Sequence, residues 1–327
     1  MQVGFLHSLI RPEEKKLLQA FRAHPDVDLL LLDDRKMDFD LHAIESSPDV
    51  VLNRSINQTR ALNAIRLLES FGIPCINSSD TVNICGDKLL TSLTLRKHKL
   101  PQPEVRVAFS ESSALRAMEK MGYPVVLKPS VGSWGRLLSK INDPDAAAAI
   151  LEHKKILGSF HHTVYYIQKY IEKKGRDIRS IVIGDECVAA AYRTSEHWIT
   201  NAARGGVSVL CPLTDEIVDL SLRAAKAVGG GLVGVDLFET EDGYLVNEVN
   251  HTLEFKSCSG VNGVDIPKRI VDFVLDPRSD RSPHKTQDLI TAEVQKNTKE
   301  NQPGMHSAQQ SCNQNGLNAK VAENRRV

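Results

Sequence analysis

Apolar residues in the first 86 positions follow two alternating periods. The runs "VGFLHS", "VDLLLLD", "DVVLNRS" and "IPCIN" have the length and composition of buried strands. Between them Leu17, Leu18 and Phe21, then Leu62, Ile65 and Leu68, recur at helical spacing. Strands alternating with helices predict a small parallel α/β sheet. The helix pattern "DKLLTSLTLRKHK" follows, and the Pro-marked connection "LPQPEV" leads near residue 101 into a second α/β unit. That unit reads as strand "VRVAFS", helix "SESSALRAMEKMG" with Ser and Glu at its start, strand "YPVVLKPSV", strand-like "RLLSKIND", an Ala-rich helix after Pro144, and strand "TVYYIQKYI". Beyond Asp177, "IRSIVIGD" and "CVAAAYR" face each other across Gly184-Asp185-Glu186 as a hairpin. Helix "DEIVDLSLRAAKAVGG" then leads into "LVGVDLFETEDGYLVNEVN", two strands joined by Thr240-Glu241-Asp242-Gly243. The folded pattern ends near Leu275. Residues 276–327 carry no sustained apolar period and are rich in Ser, Gln, Asn, Lys and Glu, which predicts a disordered tail with a weak helical pattern in "TQDLITAEVQKN".

Composition narrows the function classes. The 327 residues suffice for two or three modules, and the formal net charge of zero calls for neither nucleic acid nor an anionic membrane. Six cysteines, at 75, 85, 187, 211, 258 and 312, form no Cys-x-x-Cys pair. This predicts reduced thiols in a cytoplasmic protein, and argues against a disulfide framework or a zinc site. "MQVGFLHSLIRPEEK" lacks the long apolar core of a signal peptide, and no segment has the length of a membrane span.

Candidate chemistry begins at "DGYLVNEVNHTLEFK". Asn and Glu are poor strand formers, yet they follow Tyr244-Leu245-Val246 directly, and a period of two sends Glu248 and Asn250 to one face. Paired oxygen ligands suit a hard cation such as Mg²⁺, and Asp236 on the preceding strand supplies a third. A solvated strand end is the plain alternative. "KPSVGSWGRLLSK" sets Lys128 at a strand end before a loop with Gly132 and Gly135, an arrangement that admits phosphate oxygens but lacks the P-loop ending. Lys88 offers a second phosphate ligand, or simply an exposed lysine at a helix start. In "YYIQKYIEKKGRDIR" a strand edge with Gln168 and Tyr170 suits a planar base. The alternative is an ordinary buried strand, with Asp177 and Arg179 as a surface ion pair.

Taken in order, Lys88, "LKPSVGSWGR", "IQKYI", "GRDIR", "TNAARGG", "GVDLF" and "NEVNHTLEFK" resemble the ATP-grasp superfamily in its RimK-like branch. "NRSINQTR", "KPSVGSWGRL" and "EVNHTLEFK" are most similar to its LysX group, which joins 2-aminoadipate to a small acidic carrier in lysine biosynthesis. The resemblance spans about residues 1–275. It implies an N-terminal α/β domain at 1–86, a central ATP-grasp subdomain with a phosphate lid at 87–175, and a C-terminal subdomain with the metal site at 176–275. Lys88 and Lys128 would contact phosphate or adenine. Ser130, Val131, Gly132, Ser133, Trp134, Gly135 and Arg136 would form the lid, and Gln168, Lys169, Tyr170 and Ile171 the adenine linker. Asp177 would lie near the nucleotide, and Arg193 and Asn201 where phosphate meets substrate. Asp236, Glu248 and Asn250 would hold Mg²⁺, or Mn²⁺ in its place.

The implied partners are a LysW-like carrier protein and an amino acid, with a homo-oligomer compatible. The implied reaction converts a carboxylate to an acyl phosphate, which an amine then attacks; no Ser-His-Asp set is visible. His7, His98, His161, His162 and His197 read as surface or packing residues, and His251 stays open beside the metal pair. Glu254, Phe255, Ser257 and Cys258 are the amine-selector candidates. At Ser257-Cys258 the chain departs from the group's Asn followed by Thr or Ala, and it also lacks the Gly-Phe-Arg-Gly of the glutamate-specific relatives. The amine is therefore 2-aminoadipate or, alternatively, glutamate ligated to the carrier or to another protein or peptide. A nucleotide-binding module without catalysis is the alternative of another class.

Overall fold

The computed structural model describes residues 1–44, 47–132, 137–157, 163–200, 207–259 and 263–276. They belong to one compact unit, Met1–Pro283; a second, His284–Val327, lies wholly outside the described residues. The expected tail beyond Asp276, with its weak helical pattern, is thus outside them too.

Three sheets organise the chain. The first runs β1 (Gln2–His7), α1 (Pro12–Arg22), β2 (Asp28–Asp33), β3 (Val50–Arg54), α2 (Gln58–Ser70) and β4 (Cys75–Ile76). Its strands lie in the order β2-β1-β3-β4, all parallel, as strand and helix alternation requires. Leu17, Leu18 and Phe21 are the buried face of α1, and Ile65 and Leu68 lie on the buried face of α2. Two short helices follow, α3 (Ser79–Gly86) and α4 (Lys88–Lys97), separated only by Asp87. Asp87 accepts from the backbone N–H of Leu89 and Leu90, so its cap starts α4 and places Lys88 at the first helical position. The apolar pattern did not reveal α3, whose eight residues are too few to establish a period.

The second sheet comprises β5 (Val105–Ala108), β6 (Val125–Lys128), β7 (Ser139–Ile141) and β8 (Tyr165–Lys169), with α5 (Glu111–Met121) and α6 (Pro144–Leu157) packed against it. Its order is β5-β8-β6-β7 and every pairing is antiparallel. The third contains β9 (Arg176–Ile183), β10 (Glu186–Thr194), β11 (Val207–Leu210), β12 (Leu232–Thr240) and β13 (Gly243–Asn250), with α7 (Asp215–Ala227) before β12 and α8 (Ile266–Leu275) last. Its order is β11-β10-β9-β12-β13, also antiparallel. The β9–β10 turn uses Gly184 at φ +60, where a side chain would also meet Phe273. The sequence expectation does not include helix α8; Pro267 in its first turn and the Asp265 cap define its start.

The cores tie the sheets together unequally. Val3, Phe5 and Phe21 pack in one cluster with Ile181, Leu253, Phe255 and Ile270, so the parallel sheet and the third sheet share an apolar interior. The second sheet has its own cluster around Met118, Leu127, Ile141 and Ile167. It meets the rest largely through polar and backbone contacts, among them Val246 N–H to Pro101 O at 2.8 Å and Lys88 N–H to Ser130 O at 2.8 Å. Among the described residues no helix is long and apolar enough to cross a membrane.

Candidate active site

The β12–β13 hairpin builds the centre of the site. Its register pairs Asp236 with Glu248 and then Leu237 with Val246, so Asn247 has no partner across the ladder. This β-bulge breaks the period of two and lets the adjacent residues Asn247 and Glu248 serve different cavities. Glu248 lines a cavity of about 370 Å³ with Asp236, Asn250, Lys88, Arg179 and Arg193. Asn247 lines a smaller one of about 60 Å³ with Lys128, Gln168, Tyr170, Ile171 and Asp177. A strict alternation along the sequence does not anticipate this bulge.

Buried charge surrounds Asp236. Arg179 donates to it from Nε at 2.5 Å and Nη2 at 3.1 Å, and Arg193 Nη2 lies 3.1 Å from its Oδ1. Burial alone would push this carboxyl up, but the two guanidinium groups outweigh it and hold it below the usual carboxylate range. Arg193 in turn forms a fork onto Asp177 at 2.7 and 2.8 Å, and Thr200 Oγ1 donates to the same carboxylate at 2.5 Å. Burial opposes the charge of Arg193, yet Asp236 and Asp177 together raise its pKa above the ordinary arginine value. Asp177 and Arg179 are thus no surface ion pair. Both are buried, and each pairs with a different strand: the two point to one face of the sheet, where the register sets Arg193 of β10 beside Asp177 and Asp236 of β12 beside Arg179.

The three predicted metal ligands do converge. Asn250 Nδ2 lies 3.4 Å from Asp236 Oδ2, and Asp236 faces Glu248 across the ladder. Two carboxylates and a carboxamide line one cavity, and with the Asn250 amide turned so that its oxygen replaces the nitrogen they are a donor set that fits a hard divalent cation completed by phosphate and water. Among the described residues no group of three or more His, Cys, Asp or Glu side chains is placed to hold a metal ion, so a cation here would depend on the Asn250 amide as its third protein ligand.

Lys88 is buried rather than exposed. Its Nζ donates to Gly132 O at 2.6 Å and lies 3.4 Å from Glu248 Oε1, so it joins the glycine loop to the acidic hairpin. Lys128 is buried too. Desolvation, only partly offset by Glu248, lowers its pKa to about 8. The smaller cavity has apolar walls from Val126, Leu138, Ile199 and Phe238, with Trp198 edge-on to Tyr170. Lys169 lends that cavity its backbone only, since its Nζ is tied to Met121 O and Gly122 O, both at 3.0 Å. Ser130, Val131 and Gly132 are described, whereas Ser133, Trp134, Gly135, Arg136 and Asn201 lie outside the described residues.

The segment after β13 divides. Glu254 and Ser257 line the larger cavity. Phe255 and Cys258 do not: they are 0% and 1% exposed and belong to the apolar interior, because their side chains turn inward while the loop runs along the cavity. His251 also lines the cavity. Gln58 donates through Nε2 to Val82 O, so its Oε1 accepts from His251 Nε2 at 2.6 Å, while Thr252 Oγ1 sits 3.2 Å from Nδ1. Burial and then the charge of Arg54 lower its pKa to about 4, leaving it neutral near pH 7.

Residues of α1, its N-cap and β3 complete this wall, none of them among the candidate site residues of the sequence. Glu13 accepts from the backbone N–H of Phe255 and Lys256 at 2.6 and 2.9 Å; Arg54 donates to Leu253 O at 2.7 Å; Arg11 donates to Glu254 at 2.6 Å. Arg54 and Arg11 share Glu14, whose pKa burial would raise but their charges and hydrogen bonds bring down to about 2. The sequence signal for Arg11, Glu13 and Glu14 is a cluster of charges opening an otherwise apolar-faced helix, and Arg54 lies within the "NRSINQTR" motif.

A parallel sheet followed by two antiparallel α+β units, with a basic and acidic cleft between them, is the architecture of an ATP-grasp ligase. The family model for the RimK-like ATP-grasp domain matches residues 85–274, and that for the LysX preATP-grasp domain matches residues 3–84. The chain belongs to the RimK-like ATP-grasp ligases. It is 36% identical to the alpha-aminoadipate–LysW ligase LysX of Saccharolobus solfataricus over 70% of this chain and 84% of that one. To the glutamate–LysW ligase ArgX of Sulfolobus acidocaldarius it is 35% identical over 84% of this chain and 98% of that one. A RimK-domain ATP-grasp protein of Sphaerobacter thermophilus superposes with a TM-score of 0.73 at 29% identity, over 84% of this chain and all of that one. Membership sets aside the reading as a module without catalysis.

Proposed function

We propose that this ligase joins 2-aminoadipate to the C-terminal glutamate of a small acidic LysW-like carrier protein, at the expense of ATP. The observation that carries the reading is the meeting of Asp236, Glu248 and Asn250 with Lys88, Arg179 and Arg193 on one cavity, beside a second cavity suited to a base. A carboxylate is a poor acyl donor until its oxygen is phosphorylated. Its oxygen attacks the γ-phosphorus, the bond to ADP breaks, and an acyl phosphate forms; the unprotonated amine then attacks the carbonyl carbon and phosphate leaves. Charge spreads over the transferring phosphoryl group, so fixed cations matter more than acid–base residues. Arg179 and Arg193 are pre-placed by Asp236 and Asp177, and Lys88 approaches from the glycine loop. A divalent cation at Asp236, Glu248 and Asn250 would supply further neutralisation of the phosphates. Lys128 and Gln168 would hold the nucleotide from the smaller cavity, and Ser257 and Glu254 face the amine.

Glutamate is the competing amine, because the chain is almost equally similar to relatives named for either amino acid. Phosphate release and the intact mass of the carrier, measured with ATP, Mg²⁺ and each amino acid, test the reading. Carrier-dependent phosphate release with a mass gain of one 2-aminoadipate residue is expected. Absence of carrier-dependent release with either amine overturns the proposal, and a gain from glutamate alone reassigns the amine.

A further inference from the structure

The residue that the bulge sets apart has a defined hydrogen-bonding task. Asn247 Oδ1 lies 3.0 Å from Lys128 Nζ and 3.1 Å from Gln168 Nε2. An ammonium group only donates, so the Asn247 atom facing it is the carboxamide oxygen and not the NH₂. That oxygen fixes the second amide in turn: Gln168 presents its NH₂ to Asn247 and directs Oε1 elsewhere. Gln168 is 2% exposed, and its Oε1 is buried with no hydrogen-bond partner. A buried acceptor left unpaired is costly and rare unless a ligand supplies the donor. Gln168 lines the smaller cavity between apolar walls that include Ile171, Ile199 and Phe238, a setting that takes a planar heterocycle.

We infer that Asn247 is a positioning residue for base selection: by fixing the Gln168 amide it leaves on this cavity-lining residue an unpaired acceptor for an exocyclic amine, which matches adenine and opposes guanine. Adenine carries an amino donor at the ring position where guanine carries a carbonyl acceptor. Guanine would set oxygen against oxygen, and the amide cannot flip to relieve this without turning its acceptor onto the Asn247 oxygen. The lysine contact thereby passes its donor-only character through two amides to the base. Without the bulge at Asn247 a regular strand would carry this side chain on the opposite face from Glu248.

The inference rests on the nucleotide reading above, and calorimetric titration of the intact protein with ATP and with GTP, without carrier, separates the two. The wild-type protein is expected to bind ATP at least about tenfold more tightly than GTP. Asn247→Leu, which removes the acceptor at similar volume, is expected to lower the ATP:GTP affinity ratio about tenfold. Asn247→Asp, which keeps an oxygen between the two donors, is expected to preserve the preference for ATP. Where the Leu variant does not fold, Asn247→Ser withdraws the oxygen with a smaller disturbance and is held to the same expectation. A ratio unchanged in the Leu or Ser variant, with both nucleotides weakened alike, overturns the inference and leaves Asn247 a structural contact. A wild-type protein that binds neither nucleotide overturns the nucleotide reading and the inference with it.

Discussion

Arg179 grips Asp236 with two edges of its guanidinium group, Nε to Oδ1 at 2.5 Å and Nη2 to Oδ2 at 3.1 Å, at a position where both side chains are buried. The pair joins neighbouring strands of the third sheet at the residue predicted to bind metal. The carboxylate therefore has a structural duty besides any catalytic one.

Asp236→Asn should leave two buried arginines short of charge and cost about 3–5 kcal/mol of stability. The folded pKa lies below the ordinary 3.8, so this stabilisation is present above that value and is lost as pH falls through the lower folded pKa. Urea unfolding of both proteins at pH 7 and near pH 3 measures it. The gap should narrow in acid, and an equal gap at both pH values would contradict the assignment.

Lys128 has the opposite sign. Its folded pKa of about 8 lies below the ordinary 10.5, so between these values the unfolded chain binds the extra proton and stability rises with pH. Lys128→Met should remove that rise. It should also raise stability at pH 7, on the order of 3 kcal/mol at most, while abolishing nucleotide binding. Thermal melts across pH 7–11, paired with ATP titration, test both halves.

For Glu248→Gln the expected result is an unaltered melting temperature and turnover lowered about 100-fold or more, through loss of an anionic ligand beside the phosphates. ATP binding in the presence of a chelator should hardly change, whereas its enhancement by Mg²⁺ should disappear. Full turnover at millimolar Mg²⁺ would remove Glu248 from the metal set.

Ser257 and Cys258 should separate by substitution. Ser257→Asn, on the cavity wall, should shift the efficiency ratio between 2-aminoadipate and glutamate within the roughly 10- to 200-fold span that one methylene allows. Cys258→Thr should leave that ratio alone and lower stability by about 1–3 kcal/mol, because it places a hydroxyl in an apolar interior. A ratio that responds to Cys258 and not to Ser257 would reverse the roles.

Much of this was legible from period and residue type. Alternating runs foretold the parallel sheet, Gly184-Asp185 and Thr240–Gly243 foretold the hairpins, and the Glu248–Asn250 spacing foretold a shared face. The remainder is long-range. Nothing near Glu13 announces that its carboxylate will accept from the backbone of Phe255 and Lys256, 242 and 243 residues away. A bulge is an irregularity, so a strict period of two assigns Asn247 away from Glu248. Phe255 and Cys258 are selector candidates only through the resemblance of the segment after "EFK", and burial separates them from Ser257.

The clamp of Glu13, Arg54 and Arg11 on residues 253–256 has a consequence for how such ligases are recombined. A chimera that takes residues 1–84 from one relative and the remainder from another would sever a fit in which one parent supplies carboxylate and guanidinium groups and the other supplies the loop that receives them. Exchange of amine specificity between relatives should therefore succeed when the opening of α1, Arg54 and the loop after β13 travel as one cassette, and fail when the loop travels alone.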